Sequence, residues 1–172
     1  MLVIVLNQER VNKMKKLNFG AGNDPREGYD NVDEVDFDFD IFPYPIQDET
    51  YDYIFMKDVL EHLDYPWKVL KELHRILKPN GTIEIICPHH NDESAYNSLQ
   101  HKHYFNEQAF KEFLDHCPIF EIESLEVEPT GLGMFIPEFI RNYVARYVGH
   151  LKGKMTCVYK KPFQNASKEE EC

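Results

Sequence analysis

The stretch Leu17-Asn-Phe-Gly-Ala-Gly-Asn23 places two glycines directly after a short apolar strand predicted over residues 16–19. Gly20 and Gly22 have no Cβ and tolerate positive φ, so the backbone of such a turn can approach a ligand closely. In open α/β sheets, ligands bind in the crevice outside the carboxyl ends of the strands. The turn therefore indicates a ligand site at the end of the first strand; a tight loop that holds no ligand is the alternative.

Further strands and helices alternate along the chain. Apolar residues at helical spacing predict amphipathic helices, and short aromatic or β-branched runs predict strands. The predicted strands are 29–35, 51–56, 82–87, 120–127 and 154–159, and the predicted helices are 65–78, 106–116 and 137–148. A strand, a helix and a second strand in this order favour parallel pairing. The expected fold class is α/β, with a mostly parallel open sheet and helices on both faces.

The connection between the first two strands is unusually short. Nine residues separate Phe19 from Tyr29, whereas a full crossover through a helix needs about a dozen. The first helix is therefore expected to be shortened or missing. This counts against an oxidoreductase that binds a nicotinamide or a nucleotide sugar, because pyrophosphate binding uses the N-terminus of that helix.

Length and composition set the domain organisation. A chain of 172 residues suits one domain, which we expect over residues 15–161, after an extension at 1–14 and before a disordered tail at 162–172. The aromatic residues of 135–147 are expected to belong to the core, on one face of the helix at 137–148. The net charge of -11 disfavours a nucleic acid partner, because it repels phosphate backbones.

The sequence also carries an expectation about location. No apolar run is long enough to span a membrane, and the apolar start of the chain lacks the basic residues of a signal peptide. The four cysteines are far apart and form no Cys-x-x-Cys pair, so we interpret them as reduced thiols. These features predict a cytoplasmic protein.

Six motifs then occur in a fixed order. They are Leu17-Asn-Phe-Gly-Ala-Gly-Asn23, Asn31-Val-Asp33, Asp38 before Phe42-Pro-Tyr-Pro45, Tyr51-Asp-Tyr-Ile54, Leu60-Glu-His62 and Leu70-Lys-Glu-Leu-His-Arg-Ile-Leu-Lys-Pro-Asn-Gly81. The succession resembles the class I S-adenosylmethionine-dependent methyltransferases, in particular their small type 11 domain group, over about residues 15–115. It implies a Rossmann-like methyltransferase fold and S-adenosyl-L-methionine as cofactor.

The resemblance also implies roles for individual residues. Gly20, Ala21 and Gly22 would line the methionine part of the cofactor, followed by Asn23, where a third glycine is common. Asp33 would hold the ribose, and Asp38 with the backbone of Phe39 would contact the adenine edge. Met56 to Asp58 match the segment beside the sulfonium, and His62 matches a histidine that more often lines the pocket than takes part in catalysis.

The acceptor side is expected in the polar loop at 88–104. Methyl transfer requires that the acceptor is aligned and, for a hydroxyl, that its proton is removed. His89, His101 and His103 are the candidate bases, because an imidazole titrates near neutral pH. Two alternatives stay open: ordinary structural histidines, or ligands of a metal. His101-x-His103 could supply two ligands, but no nearby cysteine completes a recognisable spacing, so no metal site is expected.

The sequence thus predicts methyl transfer from S-adenosylmethionine to an O- or N-nucleophile of a small molecule or glycan. The alternative from another class is a non-catalytic S-adenosylmethionine-binding subunit that regulates or scaffolds a partner. An exposed apolar patch on residues 131–147 would favour that alternative.

Overall fold

A computed structural model describes residues 13–144 and 152–163. Within these residues, six strands form one sheet in the order β2-β1-β3-β4-β6-β5. The strands are β1 (Lys16–Phe19), β2 (Asp30–Val32), β3 (Tyr51–Lys57), β4 (Leu77–Pro88), β5 (Glu121–Pro129) and β6 (Lys152–Lys160). The first four run parallel, and β6 is antiparallel to both β4 and β5. The predicted fold class, a mostly parallel open α/β sheet with flanking helices, is confirmed.

Three α-helices accompany the sheet: α1 (Pro66–Ile76), α2 (Glu107–His116) and α3 (Glu138–Val144). Helix α1 begins with Pro66, whose missing N–H costs nothing in the first turn, and it buries Val69, Leu73 and Ile76. Helix α2 begins after Asn106, whose side chain accepts a hydrogen bond from the Ala109 amide at 2.9 Å. Because α1 joins β3 to the neighbouring parallel strand β4, the predicted strand–helix–strand unit is confirmed.

The first crossover has no helix. Residues 20–29 form turns and bends between β1 and β2, and these two strands still pair in parallel. The short connection predicted from the sequence is therefore confirmed.

The core lies in the middle of the sheet. Side chains of the four central strands are fully buried: Leu17, Phe19, Ile54, Met56, Ile83, Ile85, Met155, Cys157 and Tyr159. Close packing on this scale fixes the relative positions of the strands. The loops that follow the carboxyl ends of β1, β2, β3 and β4 therefore start from rigid positions.

Several predicted elements differ from the structure. The helix predicted at 65–78 ends at Ile76, and β4 begins at Leu77 instead of Thr82. The strand predicted at 29–35 ends at Val32, because Asp33 and Asp36 close a turn: the Asp33 amide donates to Asp36 Oδ2 at 2.8 Å, and the Asp36 amide donates to the Asp33 carbonyl at 2.9 Å. The prediction that the aromatic residues of 135–147 belong to the core is also wrong for Phe135 and Phe139, which are 81% and 76% exposed. Helical spacing defines an apolar face but does not determine what covers it. The predicted helix residues 145–148 lie outside the described residues.

The cysteines only partly match the expectation. Cys87 and Cys157 are buried free thiols, whereas Cys117 is disulfide-bonded. The prediction of four reduced thiols is therefore wrong for Cys117, because separation along the chain does not show which cysteines meet in space. Among the described residues, no helix combines the length and apolarity needed to cross a lipid bilayer. The cytoplasmic location stays a prediction, as do the N-terminal extension and the C-terminal tail.

Candidate cofactor and acceptor site

A cleft of about 760 Å³ opens at the carboxyl ends of the parallel strands. Strand β2 lies on one side of β1, whereas β3 and β4 lie on the other side, so the direction of strand addition reverses between β1 and β3. This reversal is the position where open α/β sheets bind their ligands. The cleft is lined by Gly20, Gly22, Asn23, Asp33, Glu34, Phe39, Asp58, Val59, His62, Gln100 and Lys102.

The glycine turn at residues 20–22 lines the cleft with backbone atoms and few side-chain atoms. Gly20 has φ +75°, and a Cβ at this position would lie 2.2 Å from Val59 Cγ2. The amides of Gly20 and Ala21 both donate to the Val32 carbonyl, at 2.8 and 2.9 Å. The turn is thus pinned to the end of β2, and a side chain at Gly20 would have to displace Val59.

Asp33 is the first residue after β2 and is partly exposed in the cleft. Its backbone is held by the turn with Asp36. An ionised carboxylate is an acceptor with two oxygens and suits a ligand that presents neighbouring hydroxyls, such as a ribose.

Phe39 borders the cleft from the side of the turn that follows β2. Its ring stacks on Phe19 with centroids 4.0 Å apart, and its carbonyl accepts a hydrogen bond from the Tyr44 hydroxyl at 2.8 Å. Asp38, by contrast, is exposed and accepts a hydrogen bond from the Asp40 amide at 2.9 Å. The position of this backbone segment beside the cleft is therefore fixed by aromatic packing.

The cleft brings together most of the residues that the resemblance suggested. Gly20, Gly22, Asn23, Asp33, Phe39, Asp58 and His62 line it, and Ala21, Asp38 and Met56 do not. Met56 is fully buried within β3, and Ala21 is 8% exposed. The motif correctly located the segments, but the alternation of side chains along a strand turns Met56 into the core. The binding roles of all ten residues stay predictions.

Asp58 follows β3 with φ +54°, a conformation that costs energy for a residue with a side chain. Its amide donates to the Ile86 carbonyl at 2.8 Å, which holds this conformation. Asp58 Oδ2 forms an ion pair with Lys154 of β6, and Oδ1 is buried without a hydrogen-bond partner among the described residues. The strained backbone thus presents a carboxylate to the cleft.

Glu61 lies in a 3₁₀ turn at Leu60–His62, directly after Asp58 and Val59. Its side chain is buried, with the residue 2% exposed, and neither carboxylate oxygen accepts a hydrogen bond from another described residue. Burial raises the pKa of this carboxyl to about 7, with a further contribution from the negative charge of Asp58. A buried carboxylate without a partner is costly, so this site favours a proton or a bound cation.

The loop at 88–104, where the sequence predicts the acceptor and which we call the acceptor loop, is attached to this turn by backbone hydrogen bonds. The Glu61 carbonyl accepts hydrogen bonds from the amides of Lys102 and His103, at 2.8 and 3.2 Å. Gln100 and Lys102 consequently line the cleft. Sequence reasoning did not single out these two residues, although the loop follows β4, which neighbours β3, and both strands end at this edge of the sheet.

Both ring nitrogens of His89 have hydrogen-bond partners. It is 1% exposed, its Nδ1 accepts a hydrogen bond from the Asn91 amide at 3.0 Å, and its Nε2 lies 3.0 Å from Glu107 Oε2. With Nδ1 as acceptor, Nε2 carries the proton and donates to Glu107. The same hydrogen bond, supported by Lys152, holds the pKa of Glu107 far below its usual range. Neither ring nitrogen is free to take a proton from an acceptor.

His101 and His103 are placed differently. His101 Nδ1 donates to the Ala95 carbonyl at 2.8 Å, and its ring centroid lies 4.6 Å from that of His62. This hydrogen bond fixes the tautomer and leaves the Nε2 lone pair available. His103 instead borders a separate apolar groove of about 200 Å³ beside Trp67 and Phe110. Of the three candidate histidines, His101 contacts a residue that lines the cleft and has a nitrogen, Nε2, with no hydrogen bond to another described residue.

A family profile described as a methyltransferase domain matches residues 5–133, which is most of the chain. Comparison with functionally curated proteins gives no significant match.

Several solved structures share the fold. A candidate methyltransferase from Bacillus halodurans superposes with a TM-score of 0.61 at 14% identity, over 87% of this chain and 93% of that one. A SAM-dependent methyltransferase from Archaeoglobus fulgidus gives 0.58 at 13% identity, over 87% of both chains. A chain from the complex between the Haloferax volcanii Trm112 methyltransferase activator and a candidate methyltransferase gives 0.59 at 14%, over 87% and 83%.

These findings agree with the geometry at the sheet edge. The glycine turn, the acid after β2 and the parallel strand order are the features expected for an adenosyl cofactor, and S-adenosyl-L-methionine is the methyl donor of this family. The comparisons indicate an enzyme and do not support a non-catalytic subunit or an oxidoreductase. The chain belongs to the class I S-adenosylmethionine-dependent methyltransferases.

Proposed function

We propose that the enzyme methylates an oxygen or nitrogen nucleophile of a small molecule or glycan. The observation that supports this proposal is the polar rim of the cleft, which is lined by Asp58, His62, Gln100 and Lys102. Polar side chains that converge from two loops suit an acceptor with several hydroxyl or amino groups.

The cofactor fits the glycine-lined side of the cleft. Gly20 leaves its Cβ position to Val59, whereas a Cβ at Gly22 would meet no atom within 4 Å, and Asp33 offers its carboxylate to the ribose hydroxyls. When bound, the cofactor supplies an electrophilic methyl group on a positively charged sulfur. The residues of the chain align the acceptor with that methyl group and remove a proton from it.

We assign the role of general base, which removes the proton of the acceptor, to His101 rather than to His89 or His103. His101 keeps a free Nε2 and contacts His62 at the rim, whereas both nitrogens of His89 are occupied and His103 borders the other groove.

Two exposed aromatic rings support a glycan or another flat acceptor. Tyr96 and Tyr104 belong to the acceptor loop and stack with centroids 4.8 Å apart and an angle of 19° between the rings. They are 60% and 50% exposed. Tyrosine faces on a loop supply rigid apolar contact area with a polar end, which suits a ligand that has both apolar faces and hydroxyls.

An exposed apolar surface favours a second candidate, in which the enzyme acts together with a protein partner. Met134, Phe135 and Phe139 are each more than half exposed, and such patches commonly mark interaction sites. One structure of the same fold comes from a complex with a methyltransferase activator. The first candidate predicts turnover by the chain alone, and the second predicts turnover only after a partner is added.

The proposal is tested with S-adenosylmethionine that carries a labelled methyl group. The purified chain is incubated with separate pools of small metabolites, oligosaccharides, proteins and RNA, and label is counted in each pool. We expect incorporation into the small-molecule or oligosaccharide pool, and none with the Asp33→Ala variant. Incorporation into the protein or RNA pool alone would contradict the proposed acceptor class while leaving the methyltransferase assignment intact.

A further inference from the structure

Glu61, His62 and His101 form a cluster beside the cleft. One side-chain donor atom from each residue lies within 4.8 Å of the other two. Glu61 and His62 are adjacent in the 3₁₀ turn after β3, and His101 comes from the loop after β4. The hydrogen bonds from the Lys102 and His103 amides to the Glu61 carbonyl hold the loop against this turn.

The carboxylate of Glu61 is the independent sign of a missing ligand. It is almost fully buried, and neither oxygen accepts a hydrogen bond from another described residue. Nearly all buried polar atoms in proteins have a partner, and an exception calls for an explanation such as an ion. The adjacent Asp58 Oδ1 is likewise buried and unpaired among the described residues.

One of the two imidazoles is oriented as metal ligands usually are. His101 donates from Nδ1 to the Ala95 carbonyl at 2.8 Å, and its ring centroid lies 4.6 Å from that of His62. A backbone carbonyl behind a histidine fixes its tautomer and directs the other nitrogen towards the metal. The cluster thus has three donor residues, and the Ala95 carbonyl holds one of them, His101, in its orientation.

We propose that Glu61, His62 and His101 bind one divalent cation beside the cofactor cleft. Two imidazole nitrogens and one carboxylate oxygen favour a divalent transition-metal ion over Mg²⁺ or Ca²⁺, which prefer oxygen ligands. Zn²⁺ suits the imidazoles, and Mn²⁺, although a harder ion, also accepts such a mixed set and serves as the probe. Donor atoms that share one such ion lie about 3 Å apart, so the three side chains need a small inward rotation. This inference departs from the expectation of no metal site.

The cation deepens the proposed function, on which this step rests. His62 lines the cleft, so an ion held there has open coordination positions towards the acceptor. A bound hydroxyl of the acceptor would lose its proton more readily, because a metal ion lowers the pKa of a coordinated oxygen. With the ion bound, His101 Nε2 is a ligand and no longer takes the proton itself. The proton leaves to solvent, and the resulting alkoxide forms the new oxygen–carbon bond as the carbon–sulfur bond of the donor breaks.

The test is a titration with Mn²⁺, followed by the loss of the electron paramagnetic resonance signal of the free ion. It needs no acceptor, so its result is independent of the proposed methyl transfer. We expect one Mn²⁺ per chain, with affinity at least about tenfold lower in the Glu61→Gln and His101→Gln variants. His103→Gln, which changes a histidine of the same loop outside the cluster, should bind Mn²⁺ as the unaltered chain does.

Circular dichroism and thermal unfolding identify variants that have lost their fold. If Glu61→Gln does not fold, His101→Gln and His62→Gln decide the question. The proposal would be overturned if the unaltered chain bound neither Mn²⁺ nor Zn²⁺. Equal Mn²⁺ affinity in all folded variants would overturn it as well. Competition by Mg²⁺ at concentrations similar to those of Mn²⁺ would contradict ligation by the two histidines.

Discussion

His89 and Glu107 form a hydrogen bond of 3.0 Å between Nε2 and Oε2 that joins the end of β4 to the first turn of α2. The opposite nitrogen of the ring binds the Asn91 amide. His89, which directly follows β4, therefore links this strand to α2 at the start of the acceptor loop.

Replacing His89 by alanine should cost stability before it affects chemistry. The substitution removes the imidazole hydrogen bonds of the Asn91 amide and of Glu107, which keeps its ion pair with Lys152, and it empties a buried side-chain position. We expect a loss of about 1–3 kcal/mol in total. Urea unfolding should show a lower free energy of unfolding, with turnover retained by the folded fraction. Unchanged stability together with lost turnover would restore His89 as a base.

Replacing Gly20 by alanine should damage the cofactor cleft. The new Cβ would lie 2.2 Å from Val59 Cγ2, and φ +75° adds backbone strain of about 1–2 kcal/mol. Binding of S-adenosylhomocysteine, measured by calorimetry, should weaken strongly. Gly28→Ala is the matched control, because Gly28 has φ +78° and no atom within 4 Å of the added Cβ. Equal effects of the two substitutions would assign the loss to strain alone.

Replacing Asp33 by asparagine should lower cofactor affinity by about tenfold or more, since hydrogen bonds to a charged group contribute about 1.5–3 kcal/mol. Asp38→Asn is the comparison, because Asp38 does not line the cleft. Calorimetry with S-adenosylhomocysteine should show a small effect at Asp38. A loss at Asp38 as large as that at Asp33 would support the adenine contact implied by the resemblance.

His74 should make stability fall in mild acid. It is 8% exposed, and burial, together with the charge of Lys161, lowers its pKa from 6.5 to about 4. Because the unfolded chain takes up the proton first, His74 contributes stability above pH 6.5 that is lost as the pH falls to 4. The loss amounts to up to about 3 kcal/mol.

The measurement is the Tm of the unaltered chain and of His74→Gln across this pH range. The difference between the two curves should change with pH, and this comparison removes the contributions of other titrating groups. Parallel curves would show that His74 does not titrate differently on folding.

The sequence was sufficient for the parts of the fold that depend on local chemistry. Residues 20–28 are too few for a helical crossover, and the apolar stripe of α1 has to face a sheet. The apolar residues of 134–140 could not be placed in the same way, because their periodicity is equally compatible with a buried or an exposed face. Phe135 and Phe139 are exposed.

In the candidate site, too, some residues could be placed from the sequence and others could not. The strand ends located Gly20, Asp33 and Asp58 at one edge, since parallel strands end together. The cluster of Glu61 with His101 could not be predicted, because it depends on the acceptor loop folding back onto the Glu61 carbonyl. A useful signal was nevertheless present: Leu60-Glu-His62 and the histidine-rich loop follow two strands that a helical crossover makes neighbours.

The acceptor loop is fastened at both of its ends. The His90 amide donates to the Phe105 carbonyl at 2.7 Å, and the Lys102 and His103 amides are bound to Glu61. Between these attachments, Tyr96 and Leu99 are exposed, whereas Ala95 is buried and accepts a hydrogen bond from His101. If the proposed acceptor binds against this loop, we expect substitutions at its exposed positions to change which compounds are methylated, at little cost to folding and to cofactor binding.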